Sequence, residues 1–181
     1  SGAAPWPQFR GPNRDGISPE TGLLKQWPSG GPKPLWAARG LGEGYSSVAI
    51  ADGKLLTMGT FNGQQSILAV SLDGGKPLWG CPCGSPYSNN MGGGPRSVPT
   101  IDGDRVYALG ANGDLVCCEL ATGKAVWTLN ILSQFGGDNI RWGICESPLV
   151  DGDNVIVTPG GKQATLVALN KQRSEEHTSE L

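Results

Sequence analysis

Residues 97–131 read "SVPTIDGDRVYALGANGDLVCCELATGKAVWTLNI", and their division into four short apolar runs decides the fold. "SVPTI" stops at Asp102-Gly103, and "RVYALG" stops at Asn112-Gly113. "DLVCCEL" runs into "ATGK", and "AVWTLNI" closes the unit. Asp-Gly and Asn-Gly accept the positive φ angles of a type I′ turn, whose twist matches two flanking antiparallel strands. The runs are rich in Val, Leu, Ile and Trp, which predicts strands. No segment keeps helix-period apolar spacing over three turns.

The unit recurs. Residues 46–79, "SSVAIADGKLLTMGTFNGQQSILAVSLDGGKPLW", and residues 145–172, "CESPLVDGDNVIVTPGGKQATLVALNKQ", align with it by eye. Their Asp-Gly turns place Gly53, Gly103 and Gly152 about 50 residues apart, and Trp79 and Trp127 keep nearly the same interval. An earlier "PKPLW" puts Trp36 ahead of Trp79. A four-stranded antiparallel meander repeated at this period predicts the blades of a β-propeller. One blade cannot bury both of its faces, and stacking on neighbours explains apolar residues at both parities of the strands.

Residues 117–127, "CCELATGKAVW", resemble the tryptophan-docking motif of quinoprotein-type propellers, Ala-x-Asp-x-x-Thr-Gly-Lys-x-x-Trp. Thr122, Gly123, Lys124 and Trp127 match it; Glu119 takes the Asp place and Cys117 the Ala place. Residues 69–79, "AVSLDGGKPLW", match more loosely through Ala69, Gly75, Lys76 and Trp79. The chain up to about residue 172 resembles the PQQ-like (pyrroloquinoline quinone-like) β-propeller repeat proteins. The opening "WPQFRGPNRDGIS" and residues 92–117 are similar to a bacterial subgroup of exported members. The resemblance implies an all-β, incomplete propeller in which Gly75, Trp79, Thr122, Gly123 and Trp127 are structural docking residues. The indole packs between blades and the glycine makes the tight turn. It divides the chain into an opening segment, residues 1–30, and a partial propeller over 31–172. That propeller comprises a closing strand at "PKPLW", two blades and the start of a third. Closure of the ring takes about seven or eight blades, so exposed edges and an uncovered blade face are expected.

Composition agrees with this reading. Of 181 residues, 29 are Gly and 14 Pro, too much punctuation for a helical protein. The formal net charge is −2 and charged residues are 17%. No basic stripe offers a nucleic-acid interface, and no apolar run approaches the roughly 20 residues that span a bilayer. The start, "SGAAPWPQF", carries small residues of the kind found at a signal-peptide cleavage site, so an exported, periplasmic or cell-envelope chain is expected. A fragment beginning mid-gene is compatible with the same start.

The end of the chain breaks the pattern. Ala168 to Gln172 fit the first five motif positions, but Thr, Gly, Lys and Trp do not follow. Instead residues 173–181 read "RSEEHTSEL". With allowed codons these back-translate to AGATCGGAAGAGCACACGTCTGAACTC, which resembles an adapter ligated to DNA fragments for short-read sequencing. We read residues 173–181 as adapter read-through rather than native sequence. Setting them aside removes the only histidine, His177, and leaves as many basic as acidic residues. A genomic template encoding Arg-Ser-Glu-Glu beyond Gln172 contradicts this reading.

Candidate chemistry is sparse. Cys117-Cys118 invites comparison with the vicinal disulfide of some quinoprotein alcohol dehydrogenases, but both fall at ordinary apolar strand positions, where free cysteine acts as a small hydrophobe. Cys81-Pro82-Cys83 lacks the further ligands of a zinc site, and Cys145 has no sequence partner. Asp52, Asp102, Asp104, Asp151 and Asp153 are turn residues, without the converging oxygens that calcium needs. "MGGGPR" reads as a flexible inter-blade loop, because no Gly-Lys-Ser/Thr follows. Trp6, Phe9, Arg10 and Trp27 are expected to pack the opening segment across the propeller. Trp142, Arg141 and Glu146 supply an aromatic floor, a cation and a carboxylate of the types a quinone site uses, in no recognisable order. No catalytic, cofactor-binding or metal residue is therefore assigned, and no Ser-His-Asp machinery can be assembled.

The favoured function is a non-catalytic scaffold that binds a protein partner or small ligand on the propeller face, similar to the lipoprotein scaffold of outer-membrane barrel assembly. It needs no cofactor. The alternative is a quinone-dependent alcohol or sugar dehydrogenase with pyrroloquinoline quinone and calcium, where the cofactor carries the redox chemistry. A further domain downstream is a third possibility.

Overall fold

The computed structural model describes residues 4–172. Residues 173–181, with the adapter reading and His177, lie outside the described residues. The chain forms three antiparallel sheets in sequence order. The first holds β1 (Ala49–Ala51), β2 (Lys54–Phe61), β3 (Gln64–Ser71) and β4 (Pro77–Pro82). The second holds β5 (Thr100–Asp102), β6 (Arg105–Leu109), β7 (Asp114–Glu119) and β8 (Ala125–Asn130). A short helix, α1 (Ile131–Phe135), leads towards the third sheet of β9 (Leu149–Asp151), β10 (Asn154–Val157) and β11 (Val167–Asn170). Each sheet is a meander, with neighbours in sequence paired in space. This is a partial β-propeller.

The helix was not expected from the apolar pattern. It is one turn, made by local capping: Asn130 Oδ1 accepts from the backbone N–H groups of Leu132 and Ser133 at 3.1 and 3.0 Å. Ile131 and Phe135 turn inward and are buried.

The hairpin turns follow the sequence in part. Asp52-Gly53 and Asn62-Gly63 have positive φ at both residues, the type I′ pattern. At the matching turns of the other blades the register moves by one. Asp102 pairs with Arg105, so Gly103-Asp104 are the central residues, and of these only Gly103 has positive φ. Gly152 does the same between Asp151 and Asn154. These are type II′ patterns, where the expectation was I′; an Asp-Gly pair does not say which of its residues closes the ladder.

Two apolar layers fill the gaps between sheets. Between the first and second lie Leu56, Met58, Ile67, Ala69, Val106, Ala108 and Val116, with Cys81, Cys83 and Cys118 among them. Between the second and third lie Tyr107, Leu109, Leu115, Cys117, Trp127, Val155, Val157 and Leu169. Residues 106–109 and 115–118 therefore feed both layers, alternating by strand parity. That is why these runs show no polar face in the sequence.

Gln65 is a polar side chain that is fully buried. Its Nε2 donates to Ser85 O at 2.7 Å, and its Oε1 accepts from Ala111 N at 2.9 Å, joining the first blade to the β6–β7 turn of the second. Gln65→Leu keeps the volume and strands the Ala111 N–H, while Ser85 O keeps Asn112 Nδ2 as a donor. Unfolding in urea is expected to show a loss of about 1–3 kcal/mol, the cost of an unpaired buried polar group.

The opening segment runs along the first strands of the blades. Trp6 exchanges backbone hydrogen bonds with Ile50, Ile101 N–H donates to Pro7 O, and Arg14 Nη2 donates to Pro148 O. Trp6 is half-buried, its ring on Gly11. Phe9 and Trp27 depart from the expectation: both are largely exposed, at 49% and 61%, so neither packs the segment down. Backbone pairing does that work instead. The "PKPLW" stretch forms no strand with the described sheets, and Leu35 lies open to solvent.

Candidate functional site

A four-stranded meander has two ends. One end carries the β1–β2 and β3–β4 turns and their counterparts. The other carries the β2–β3 turn and the connections between blades. The two ends do different things.

At the first end the indoles of the repeat sit on the neighbouring blade. The β3–β4 and β7–β8 turns share one backbone pattern. Gly75 N–H donates to Ser71 O and Ser71 N–H to Lys76 O, as Gly123 N–H donates to Glu119 O and Glu119 N–H to Lys124 O. In the second turn Thr122 Oγ1 bonds Glu119 Oε2 at 2.6 Å and accepts from Lys124 N at 3.1 Å. Gly75 and Gly123 have φ of +66° and +72°, a region that L side chains seldom enter. A Cβ on Gly123 would lie 2.5 Å from the Trp79 ring, and one on Gly75 would lie 2.5 Å from the Trp36 ring. Trp79 Nε1 donates to Leu120 O at 3.1 Å, and Trp127 Nε1 to Lys171 O at 3.3 Å. Leu120 and Lys171 occupy the same place in successive blades. Both tryptophans follow a bulge: Leu78 is the extra residue between pairs Ala69–Trp79 and Val70–Pro77, and Val126 is the extra residue in the second blade.

Lys171 gathers further contacts. Its carbonyl also accepts from Tyr107 Oη at 3.1 Å, and its ammonium bonds Asp102 Oδ2 at 2.8 Å across the blades. That hydrogen bond to Asp102 raises the Lys171 pKa. Asp52 and Asp104 pair with Lys54 and Arg105 beside their own turns. Three of the five turn aspartates are thus engaged with cations.

At the opposite end the blade connections build an aromatic and cationic surface. The Arg96 guanidinium lies 4.7 Å from the Tyr87 ring centroid and 5.4 Å from that of Tyr45. Its nitrogens donate to the carbonyls of Gly92 and Gly94. Gly94 N–H donates to Tyr87 O, and Gly93 N–H to Glu43 Oε1 at 3.1 Å. The glycine-rich stretch was expected to be a flexible loop; it is instead held by these bonds, with Gly93 and Gly94 buried. Tyr45 Oη donates to Met91 O, and Tyr87 Oη to Arg141 O, so the three connections form one surface. Arg141 stacks on Trp142 at 4.7 Å. The Arg96–Tyr45–Tyr87 group was not legible in the sequence, because its members come from two connections of irregular length. The only signal was that each connection carries an aromatic residue.

Glu146 does not join this surface as a ligand. Its two carboxylate oxygens accept from Thr158 N and Thr158 Oγ1, each at 3.0 Å. Burial raises its pKa above the ordinary value of 4.5, partly offset by those bonds. The folded state therefore binds the proton more tightly than the unfolded chain. This contribution to stability is fully present below pH 4.5 and is lost as pH rises through the elevated folded value. Glu146→Gln is expected to flatten that part of the stability–pH curve.

The residues present do not fit a quinone and calcium site. Glu146 is spent on Thr158, Arg141 on Trp142, and among the described residues no three His, Cys, Asp or Glu side chains converge as metal ligands. Cys117 and Cys118 point to opposite blade gaps. Burial pushes the Cys117 thiol up to about 11, and it lies against Tyr107. Cys118 is buried in the other gap, in the layer that also holds Cys81. No helix among the described residues is long and apolar enough to cross a membrane.

Comparison with known proteins decides the family. The family model described as outer membrane protein assembly factor BamB matches residues 63–178. The chain belongs to that family. Like other PQQ-like repeat proteins, this BamB-family chain shares its fold with solved structures of low identity. BamB from Moraxella catarrhalis is 18% identical, with a TM-score of 0.50 over 68% of this chain and 36% of that one. Quinohemoprotein alcohol dehydrogenase ADHIIG from Pseudomonas putida HK5 is 14% identical, with a TM-score of 0.51 over 77% and 21%. A europium-containing methanol dehydrogenase is 14% identical, with a TM-score of 0.55 over 77% and 25%. The BamB-family chain therefore spans 21–36% of the length of these structures. No curated protein matches its sequence.

Proposed function

We propose that the chain is part of an exported PQQ-like propeller protein of the periplasm or cell envelope that acts as a non-catalytic binding scaffold. In this reading Gly75, Trp79, Thr122, Gly123 and Trp127 dock the blades, and the surface of blade connections meets a protein partner or small ligand. The observation that carries it is the state of that surface. Its potential catalytic groups are committed to neighbours within the fold: Glu146 to Thr158 and Arg141 to Trp142. Its exposed groups are apolar and aromatic: Tyr45, Met91, Ile140 and Trp142 are each more than two-fifths exposed. Such a mixture of aromatic residues and arginines is the composition of binding surfaces.

Two measurements on the full-length protein test this. Mixed with pyrroloquinoline quinone and calcium and passed through gel filtration, the protein is expected to retain no quinone and to reduce no dye with an alcohol. Retention and dye reduction would establish the dehydrogenase instead. A photo-crosslinking residue in place of Trp142 is expected to capture a discrete partner, while one at Asp52, on the opposite end, captures none. Equal capture at both positions, or at neither, removes the assigned surface.

A further inference from the structure

β1, β5 and β9 each pair with one strand of their own sheet, so one edge of each is left over. These strands also lie side by side, β1 against β5 and β5 against β9. That sets them on the side where the blades of a propeller surround a central channel. Ile50 and Ile101 hold the same register, opposite Leu55 and Val106, and both turn backbone groups to the free edge. Ile50 exchanges two hydrogen bonds of 2.8 Å with Trp6, and Ile101 N–H donates to Pro7 O at 2.7 Å. Further along the same segment, Arg14 Nη2 donates to Pro148 O at 3.2 Å, next to the start of β9. One short stretch thus touches all three blades.

We propose that residues 6–14 are an intramolecular peptide ligand that closes the axial side of these blades. Two properties separate a ligand from a tether. First, the stretch is shaped by its own bonds. Arg14 Nε donates to Gln8 Oε1 at 2.9 Å, and Gln8 Nε2 to Pro12 O at 3.2 Å. Gly11 N–H donates to Gln8 O, and Arg14 N–H to Gly11 O. Gly11, at φ +82°, is buried under the Trp6 ring, where a Cβ would lie 2.7 Å from it. A segment ordered in this way loses little freedom on docking. Second, the chain that follows is exposed throughout residues 17–30, so the docking does not depend on it. The segment is held by strand addition: main-chain bonds supply the hold, and Trp6 and Arg14 supply the choice of sequence. The ligand class that these edges take is an extended peptide with an aromatic–proline pair and an arginine. While residues 6–14 sit there, no other chain can use the edges of β1 and β5. The segment would act in this way in a scaffold and in a dehydrogenase alike, so its test does not turn on the function proposed above.

The test cuts the covalent link and asks whether the segment stays. A protease recognition sequence is inserted between Gly22 and Leu23 of the full-length protein, which is cut after folding. The amino-terminal piece is expected to co-elute with the propeller on native gel filtration and to leave it in urea. A fluorescent peptide of residues 4–16 should then bind the stripped, refolded propeller. It should not bind the uncut protein, whose own segment holds the site at high effective concentration. Trp6→Ala, Gly11→Ala and Arg14→Ala in the peptide should each weaken binding about tenfold, as loss of packing or of charge-assisted hydrogen bonds implies. These changes lie in the peptide, so the folding of the propeller is untouched. If the stripped propeller does not refold, two readings remain decisive: co-elution of the cut piece, and slow hydrogen exchange of the Ile50 and Ile101 amides in the uncut protein. Separation of the piece on native gel filtration, exchange of both amides at the rate of an open strand edge, or equal peptide binding by stripped and uncut protein overturns the proposal. So does equal binding of the wild-type and substituted peptides.

Discussion

Replacing Trp127 by alanine is expected to lower the unfolding free energy by about 3–5 kcal/mol, the range for deleting a buried aromatic side chain. The indole is 8% exposed and belongs to the layer between the second and third blades. Its ring lies 6.0 Å from that of Tyr107, and its N–H donates to Lys171 O. Alanine removes the packing on both blades at once. The Lys171 carbonyl keeps Tyr107 Oη as a donor, so the loss is chiefly of packed volume rather than of a hydrogen bond. Urea unfolding monitored by circular dichroism measures it. A loss below about 1 kcal/mol would mean that the indole does not hold the blades together.

Gly123→Ala is expected to cost about 2–5 kcal/mol, from two sources that add. The left-handed backbone costs a non-glycine residue about 1–2 kcal/mol. The new methyl also meets the Trp79 ring at 2.5 Å, and such overpacking costs about 1–3 kcal/mol. The same substitution at Gly53 provides the comparison. Its φ is +67°, but nothing lies within 4 Å of its Cβ, so only the backbone cost applies. If the two variants lose equal stability, the Trp79 ring does not rest on Gly123.

The repeat was legible because the physics of a blade is local. Two-residue turns, alternating strands and the Thr-Gly-Lys turn leave marks at fixed spacing, and β5 to β8 fall where the apolar runs of residues 97–131 predict. Turn type was less legible: the turns at Asp52-Gly53 and Asp102-Gly103 differ by one residue in register although the same pair marks both. The opening segment misled for a different reason. Its aromatic residues suggested packing, yet Pro7 O and the Trp6 backbone hold it, and backbone pairing leaves no mark on residue identity. The stacking of Arg96 on Tyr45 arises between two connections distant in sequence. Only the blade geometry brings them together, and no spacing rule announces it.

Hydrogen exchange of the indole N–H groups tests the blade docking most directly. Trp79 and Trp127, which donate to Leu120 O and Lys171 O of the next blade, are expected to exchange far more slowly than the exposed Trp27. Exchange of all three at the rate of free indole would contradict docked blades.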